Sequence, residues 1–280
     1  MKSEMNEISF TYYCIYFILS IFYSYLIPMK IIAIIPARYA STRFPAKVLT
    51  DINGKTMIER VFNQAKKAKK LSEVFIATDN QLVFDKVKEF TQNVLITSDS
   101  HISGTDRIAE AALTLEKKNI EFDFIINIQG DEPFIKPEQI DNLATILAEN
   151  EKTQLATLVS KIKDSETLFD SNVVKTIFDV NNKAIYFSRN PIPFVRNANK
   201  NNRDSWLSEH TFYRHIGMYA YQKEVLQQIT KLKPSTLELA ESLEQLRWIE
   251  NGFSIQVAIT PFESIGIDTP EDLKKVLNKK

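Results

Sequence analysis

Glycine is scarce in this chain: the 280 residues include 6, at positions 54, 104, 130, 217, 252 and 266. With that distribution neither GxGxxG nor a GxxxxGK loop can be written anywhere, which removes support for the dinucleotide fingerprint and for P-loop hydrolysis. Cysteine is scarcer still. Cys14 is alone, so an internal disulfide framework and a cysteine zinc site are excluded, and a reducing compartment fits. Excess charge is also lacking, since 35 Lys+Arg stand against 35 Asp+Glu. A chain that coats nucleic acid or an anionic surface needs such an excess, so any anion site here must be local. The histidines His101, His210 and His215 lack metal-ligand spacing such as HExxH. What remains is ordinary globular composition, 44% hydrophobic and 25% charged, enough for one large domain or two small ones with a sizeable core.

The first 28 residues differ from the rest. Ile8 to Ile27 reads ISFTYYCIYFILSIFYSYLI, uncharged, rich in aromatics and long enough to cross the hydrocarbon layer as a helix. The preceding MKSEMNE is not clearly basic, and no small-residue cleavage site comes before Pro28, against a removed signal peptide. Two readings stay open for residues 1–28: upstream sequence ahead of a true start at Met29, or an uncleaved membrane anchor. On either, the expected location is the cytoplasm, with membrane contact only if 8–27 is a real anchor.

From Met29 onward, short runs rich in Ile, Val and Phe alternate with helical patterns. IIAIIP, EVFIATD, NVLIT and FDFIINIQ read as buried strands. TMIERVFNQAKKAKK, QLVFDKVKEF and GTDRIAEAALTLEKK carry apolar residues at three- and four-residue spacing, as amphipathic helices do. That alternation predicts an α/β fold: an open, mostly parallel sheet with helices on both faces. From about residue 155 to 235 the runs QLATLVS, VVKTIFD, AIYFS and HIGMYAY have shorter connections, which suggests a smaller antiparallel insert within a domain spanning 29–280. Helices return with STLELAESLEQLRWI, followed by a strand, SIQVAIT, and a last helix that begins at DTPEDLKKVL.

Ligands of open parallel sheets bind beyond the carboxyl ends of the strands, and those ends are polar here. The first is followed by RYASTRFPAK, Arg38 to Lys47. Without a glycine cradle, neutralising a polyphosphate there falls to Arg38, Arg43 and Lys47, the guanidinium forks pairing phosphate oxygens and the lysine acting as a point charge. A solvated basic loop explains the same spacing. Asp131 in QGDEP and Asp268 in GIDTPEDL each follow an apolar stretch. Two carboxylates facing a basic loop suit a Mg2+ ion carried by a triphosphate. Equally, Asp131 can shape a turn, and Asp268 can belong to a helix start with Thr269, Pro270, Glu271 and Asp272. Ser103 and Thr105 can cap the following helix, while Gly104 can bring backbone amides close to an anion or a base edge.

Together, IIPARYASTRFPAKVLTDINGKTMIERV, HISGTDR, INIQGDEP, VKTIFD, AIYFSR, RHIGMYAY, ELAESLEQLR and IGIDTPEDL resemble the 3-deoxy-manno-octulosonate cytidylyltransferases, the CMP-Kdo synthetases, in order from Met29 to near the C-terminus. The segment before Met29 has no counterpart in the usual bacterial members, although plant members are membrane anchored. The resemblance implies transfer of CMP from CTP to Kdo with release of pyrophosphate, for lipopolysaccharide synthesis, by a magnesium-dependent enzyme that is usually a homodimer joined through the antiparallel insert. It implies that Arg38 and Lys47 grip the triphosphate, that Arg43 and Ser41 shape the loop, and that Asp131 and Asp268 hold Mg2+. The Ala37 backbone with Ser103, Gly104, Thr105 and Arg107 would recognise cytidine. Gln129, Arg189, His215, Tyr219, Glu241 and Gln245 would receive Kdo.

Two departures stand out: Ala46 replaces the glycine of the family's PGK, and HISGTDR carries Ile102 and Asp106 where Gln and Glu are frequent. The nearest alternative, a CMP-sialate synthetase, typically opens on RxGSKGxxxKN, whose glycines are missing here. A membrane-anchored binding protein that kept the fold and lost catalysis is the other, and the retained charges at 38, 47, 131 and 268 argue against it.

Overall fold

The computed structural model describes residues 29–40, 44–150, 152–199, 202–263 and 266–277; the apolar N-terminal segment, Ser41 and Arg43 lie outside them. Strands β1 (Ile31–Pro36), β2 (Glu73–Thr78), β3 (Val94–Ile96) and β4 (Phe124–Asn127) form the parallel half of a nine-stranded sheet. Apart from exposed Glu73 at the start of β2 and exposed Ile96 at the end of β3, they are mainly apolar because both faces are covered. Ile31, Ala33 and Ile35 pack on one side with α1 (Met57–Ala65) and α4 (Pro137–Glu149), while Ile32 and Ile34 pack on the other with α3 (Gly104–Lys117). The period-two alternation of a strand thus serves two helical layers. Helix α2 (Gln81–Lys88) joins β2 to β3. Helix starts follow local chemistry: Thr56 accepts from the Glu59 amide and Ser103 from the Asp106 amide, relieving unpaired first-turn donors.

The remaining elements are β5 (Leu155–Lys161), α5 (Ser165–Phe169), β6 (Lys175–Phe178), β7 (Ala184–Ser188), α6 (Ser205–Glu209), β8 (Tyr213–Gln222), α7 (Lys223–Ile229), α8 (Thr236–Glu241), α9 (Glu244–Glu250), β9 (Ile255–Ile259) and α10 (Pro270–Leu277). The spatial order is β3-β2-β1-β4-β8-β5-β9, with β6 and β7 branching from β8. The long strand β8 lies antiparallel between β4 and β5, and β9 runs parallel to β5. Because β1 has β2 on one side and β4 on the other, the order reverses beside β1, and a crevice opens there at the carboxyl ends.

STLELAESLEQLRWI is two helices, because Ser242 adopts φ 52 between α8 and α9. The main-chain carbonyls of Glu241 and Ser242 accept from the Arg189 side chain, at 2.7 and 3.3 Å. Helical periodicity continues through the break, but the arginine takes carbonyls that an unbroken helix would use internally.

Ala46 is left-handed, with φ 55 and ψ 25. An alanine there carries a penalty of about 1–2 kcal/mol, whereas glycine accepts the geometry and loses about 0.5–1 kcal/mol to its freer unfolded chain. Ala46→Gly is therefore expected to stabilise the fold by up to about 1 kcal/mol, raising Tm by roughly 2–4 °C in a chain of this size. Paired urea and thermal melts measure it; a lower midpoint would show that the turn is set by packing rather than by φ.

Candidate active site

The crevice has a volume of about 320 Å3 and gathers the ends of several elements: Pro36 and Arg38 after β1, Lys47 and Val48, the stretch from His101 to Gly104, Gln129 to Asp131 after β4, and Asp268. Its centre is Lys47. The largely buried ammonium donates to Asp131 Oδ2 at 2.6 Å and to Asp268 Oδ1 at 3.0 Å. Gly130 lets the β4 loop press against β1, since a Cβ at that position would stand 2.7 Å from the Pro36 carbonyl oxygen. The Ile267 amide donates to the Asp131 carbonyl at 3.0 Å, and fully buried Ile267 packs with Ile52 and Met57. Asp268 is thereby carried to the loop after β4. The cap alternative for Asp268 falls to its neighbours: Thr269 accepts from the Asp272 amide, and Asp272 accepts from the amides of Asp268 and Thr269. Its own carboxylate is turned to Lys47.

Arg38 is exposed at the lip and, among the described residues, has no hydrogen-bond or ion-pair partner. An unpaired guanidinium beside two acids and an ammonium is suited to a bidentate hold on a phosphate. The other nucleotide candidates divide into lining and support. Ser103 and Gly104 line the crevice. Thr105 is buried and donates to Glu244 Oε2 at 2.7 Å. Burial first of all pushes the Glu244 carboxyl above its ordinary range. The Ala37 amide is already committed to the Ala77 carbonyl at 2.8 Å. Arg107 touches the crevice, yet its guanidinium binds Asp79 Oδ2 at 2.7 Å, Thr97 Oγ1 at 2.6 Å and the Ser98 carbonyl at 3.2 Å.

Asp79 was not among the sequence candidates. Its second oxygen accepts from the Tyr39 amide at 3.2 Å, so one carboxylate joins the first loop to α3 through Arg107. The signal was available: like Asp131, Asp79 directly follows an apolar strand. His101 and Glu110 were missed as well. Glu110 accepts from the Ser98 amide at 2.9 Å and contacts His101 Nε2, which braces the loop before Ser103.

Of the six acceptor candidates Gln129 lines the crevice, whereas Arg189, His215, Tyr219, Glu241 and Gln245 are not among its lining residues; the six fall into two groups. Gln129 donates to the Gly217 carbonyl at 2.9 Å, and the His215 and Tyr219 rings lie 5.1 Å apart on β8. Trp248 sets its edge on Tyr219 at 5.0 Å, seating α9, which carries buried Gln245, against that strand. In the second group Glu241 accepts from Ser188 Oγ at 2.7 Å and from the Arg189 amide at 2.9 Å. Phe187, whose ring is 5.1 Å from His215, lies next in sequence to Ser188 and links the groups.

His215 Nε2 is 2.8 Å from Thr157 Oγ1, and that hydroxyl also lies 2.8 Å from the Met218 carbonyl. A hydroxyl has a single proton. Given to the carbonyl, it leaves Nε2–H as the donor to Thr157 and Nδ1 as an acceptor. Burial first, and the charge of Arg214 second, pull the imidazole pKa down to about 3, so the ring is neutral at neutral pH. The unfolded chain, at about 6.5, binds the proton more readily. The contribution is therefore complete above pH about 6.5 and is lost as pH falls toward the folded value, at up to about 1.4 kcal/mol per pH unit. Urea titrations between pH 4 and 7 are expected to show a shallower pH slope for His215→Gln than for the parent; equal slopes would contradict a buried neutral ring.

A parallel-sheet crevice with cations and paired acids at its strand ends, and no glycine cradle, defines an α/β protein of the nucleotidyltransferase kind. The comparisons with known proteins agree. Residues 32–259 match the family model described as Cytidylyltransferase, and the chain belongs to that family. It is 55% identical over 249 residues to the 3-deoxy-manno-octulosonate cytidylyltransferase of Cytophaga hutchinsonii, covering 89% of this chain and 96% of the relative. The protein of the same name from Geobacter sulfurreducens is 45% identical over 253 residues, covering 90% and 99%. Among solved structures, a CMP:2-keto-3-deoxy-manno-octonic acid synthetase complexed with CTP matches with TM-score 0.80 and 37% identity, over 89% of this chain and 97% of that one.

Proposed function

We propose that the protein transfers CMP from CTP to the anomeric hydroxyl of Kdo, giving CMP-Kdo and pyrophosphate, as a step toward lipopolysaccharide. The anomeric oxygen forms a bond to the α phosphorus as the bond to the pyrophosphate oxygen breaks, and the hydroxyl proton is released. The observation that carries this reading is Lys47 held by Asp131 and Asp268 beside unpaired Arg38 at the end of β1. Such a site performs little covalent chemistry. It aligns the sugar hydroxyl with the phosphorus and offsets the charge that builds on the leaving pyrophosphate.

Asp131 and Asp268 are the residues that would hold Mg2+. Both carboxylates converge on one ammonium, within 3.0 Å, and among the described residues no group of three or more acidic, His or Cys ligands forms. A two-carboxylate set fits magnesium, which takes its other ligands from substrate phosphates and water. When bound, the ion would withdraw charge from the phosphate oxygens. The chain's own cations, Arg38 and Lys47, orient the triphosphate; Gln129, Arg189, His215, Tyr219, Glu241 and Gln245 line up as the sugar-acid side, with neutral His215 accepting from a hydroxyl.

The test is pyrophosphate release from CTP with Kdo, with sialate, and with no acceptor, each with magnesium and with a chelator. Release with Kdo and magnesium alone is expected; release with sialate in place of Kdo would select the sialate reading, and none with either would leave a binding protein. We also infer a domain over 29–280 that pairs as a homodimer through the antiparallel segment, about 155–235, where Val180, Ile185 and Phe194 are exposed. Sedimentation of the chain from Met29 is expected to give a dimer, and a concentration-independent monomer would refute it. A cytoplasmic location is proposed from the substrates. No helix among the described residues is long and apolar enough to cross a membrane, and the segment 8–27 lies outside them.

A further inference from the structure

Lys175, at the start of β6, is fully buried. Its ammonium donates to three main-chain carbonyls: Asp170 at 2.9 Å, Val173 at 2.6 Å, and Arg189. Among the described residues no carboxylate is hydrogen-bonded to it; Asp170 and Glu241 act on it only through space. Removing an ammonium from water costs several kcal/mol, and the three carbonyls it satisfies offset part of that cost. Burial accordingly draws its pKa below the ordinary lysine range, while Arg189 adds to the same shift.

The three carbonyls reveal what the charge organises. Arg189 has its carbonyl on Lys175, its amide on Glu241, its Nε on the Glu241 carbonyl, and its two terminal nitrogens on the carbonyls of Ser171 and Ser242. Lys175 also faces Arg214 and Ser188 across the β6 ladders. Two cations, Lys175 and Arg189, thus share Glu241, whose oxygens already accept from Ser188 and Arg189 and whose charge acts on Lys175 through space. The terminal guanidinium nitrogens carry four N–H groups, and two of these hydrogen bonds are described, so donors remain for an anion.

We propose that Lys175 is a positioning residue for the sugar-acid side of the crevice: its ammonium locks Arg189 against Glu241 and Ser242 and leaves a net positive setting for the substrate's carboxylate. The inference rests on the Kdo-transfer reading, and it assigns to Lys175 an effect on the acceptor and none on CTP. It also accounts for the broken helix, because the carbonyls released at Glu241 and Ser242 hold the arginine that Lys175 braces from behind.

The experiment compares the parent, Lys175→Met, Lys175→Gln and Lys175→Arg in pyrophosphate release with CTP and Kdo, with the thermal shift produced by magnesium-CTP as the control on the fold. The Met and Gln variants are expected to raise KM for Kdo at least tenfold while KM for CTP and the CTP-induced shift stay within about twofold; Arg, which keeps the charge, is expected to recover most of the Kdo affinity. If Met fails to fold, Gln, with amide donors for the carbonyls and no charge, decides the matter. An unchanged KM for Kdo in a folded neutral variant, or a parallel loss for CTP and Kdo in all three, overturns the proposal. An inactive parent would instead overturn the Kdo-transfer reading, so the two failures are distinct.

Discussion

Asp131→Asn is expected to lower kcat for pyrophosphate release on the order of a hundredfold or more, about 2.7 kcal/mol of transition-state stabilisation. The substitution keeps the shape of the side chain and its capacity to accept one hydrogen bond, but removes the charge that faces Lys47 at 2.6 Å and with it one of the two carboxylates proposed for Mg2+. Because Asp131 keeps 30% of its side-chain surface exposed, its ion pair adds little to folding, and Tm is expected to move by no more than about 2 °C. A large kinetic loss on an intact fold is the signature of a group that acts on the reacting phosphates. Near-normal turnover would return Asp131 to the role of shaping the GDEP turn. Asp268→Asn is expected to follow the same pattern more weakly, since its carboxylate is more exposed and lies farther from the ammonium, at 3.0 Å.

Asp79→Ala is expected to destabilise the protein by about 3–5 kcal/mol, with Tm falling by roughly 10 °C. The partner is Arg107, whose side chain is 3% exposed; losing the carboxylate strands a guanidinium that keeps only the Thr97 hydroxyl and the Ser98 carbonyl. An unpaired buried charge is more damaging than a missing pair, because its desolvation is no longer offset. The Tyr39 amide loses its acceptor at the same time, which frees the loop bearing Arg38, so KM for CTP is expected to rise as well. Asp79→Asn, which retains hydrogen-bond acceptance, is expected to fall between the parent and Ala. Thermal melts and CTP titrations decide it: a Tm loss under about 2 °C would show that water or the loop replaces the ion pair.

The fold was largely legible because its parallel half obeys local rules. IIAIIP reads as a strand buried on both faces, and it is one; Ser103 before GTDR reads as a cap, and its hydroxyl accepts from the Asp106 amide. Helix α4 escaped notice although Pro137 marks its start and Ile140, Leu143 and Leu147 form its buried stripe. The run at 235–250 reads as helical, and it is, but the break at Ser242 within it is not marked by the local pattern. Nothing within fifteen residues of Ser242 announces Arg189, which takes the carbonyls there.

The candidate site divides in the same way. Arg38, Lys47, Asp131 and Asp268 could be picked out because charged residues immediately after apolar strands have few structural reasons to be there. Their partnership could not. Lys47 meets Asp131 across 84 residues and Asp268 across 221, and Asp79 meets Arg107 across 28. Likewise, sequence marks Thr105 and Arg107 as candidates for contact with the nucleotide, whereas the structure turns the first toward Glu244 and the second toward Asp79.

By itself, then, the amino-acid sequence determined the elements, their two-faced burial, the absence of a glycine cradle and the set of charges at the strand ends, all properties carried by residues a few positions apart. The tertiary structure alone decided which charges meet, the left-handed turn at Ala46, the break at Ser242 and the placing of Lys175 behind Arg189. Those depend on strand order and on contacts between distant segments, where one buried charge must find its partner or pay the full cost of leaving water.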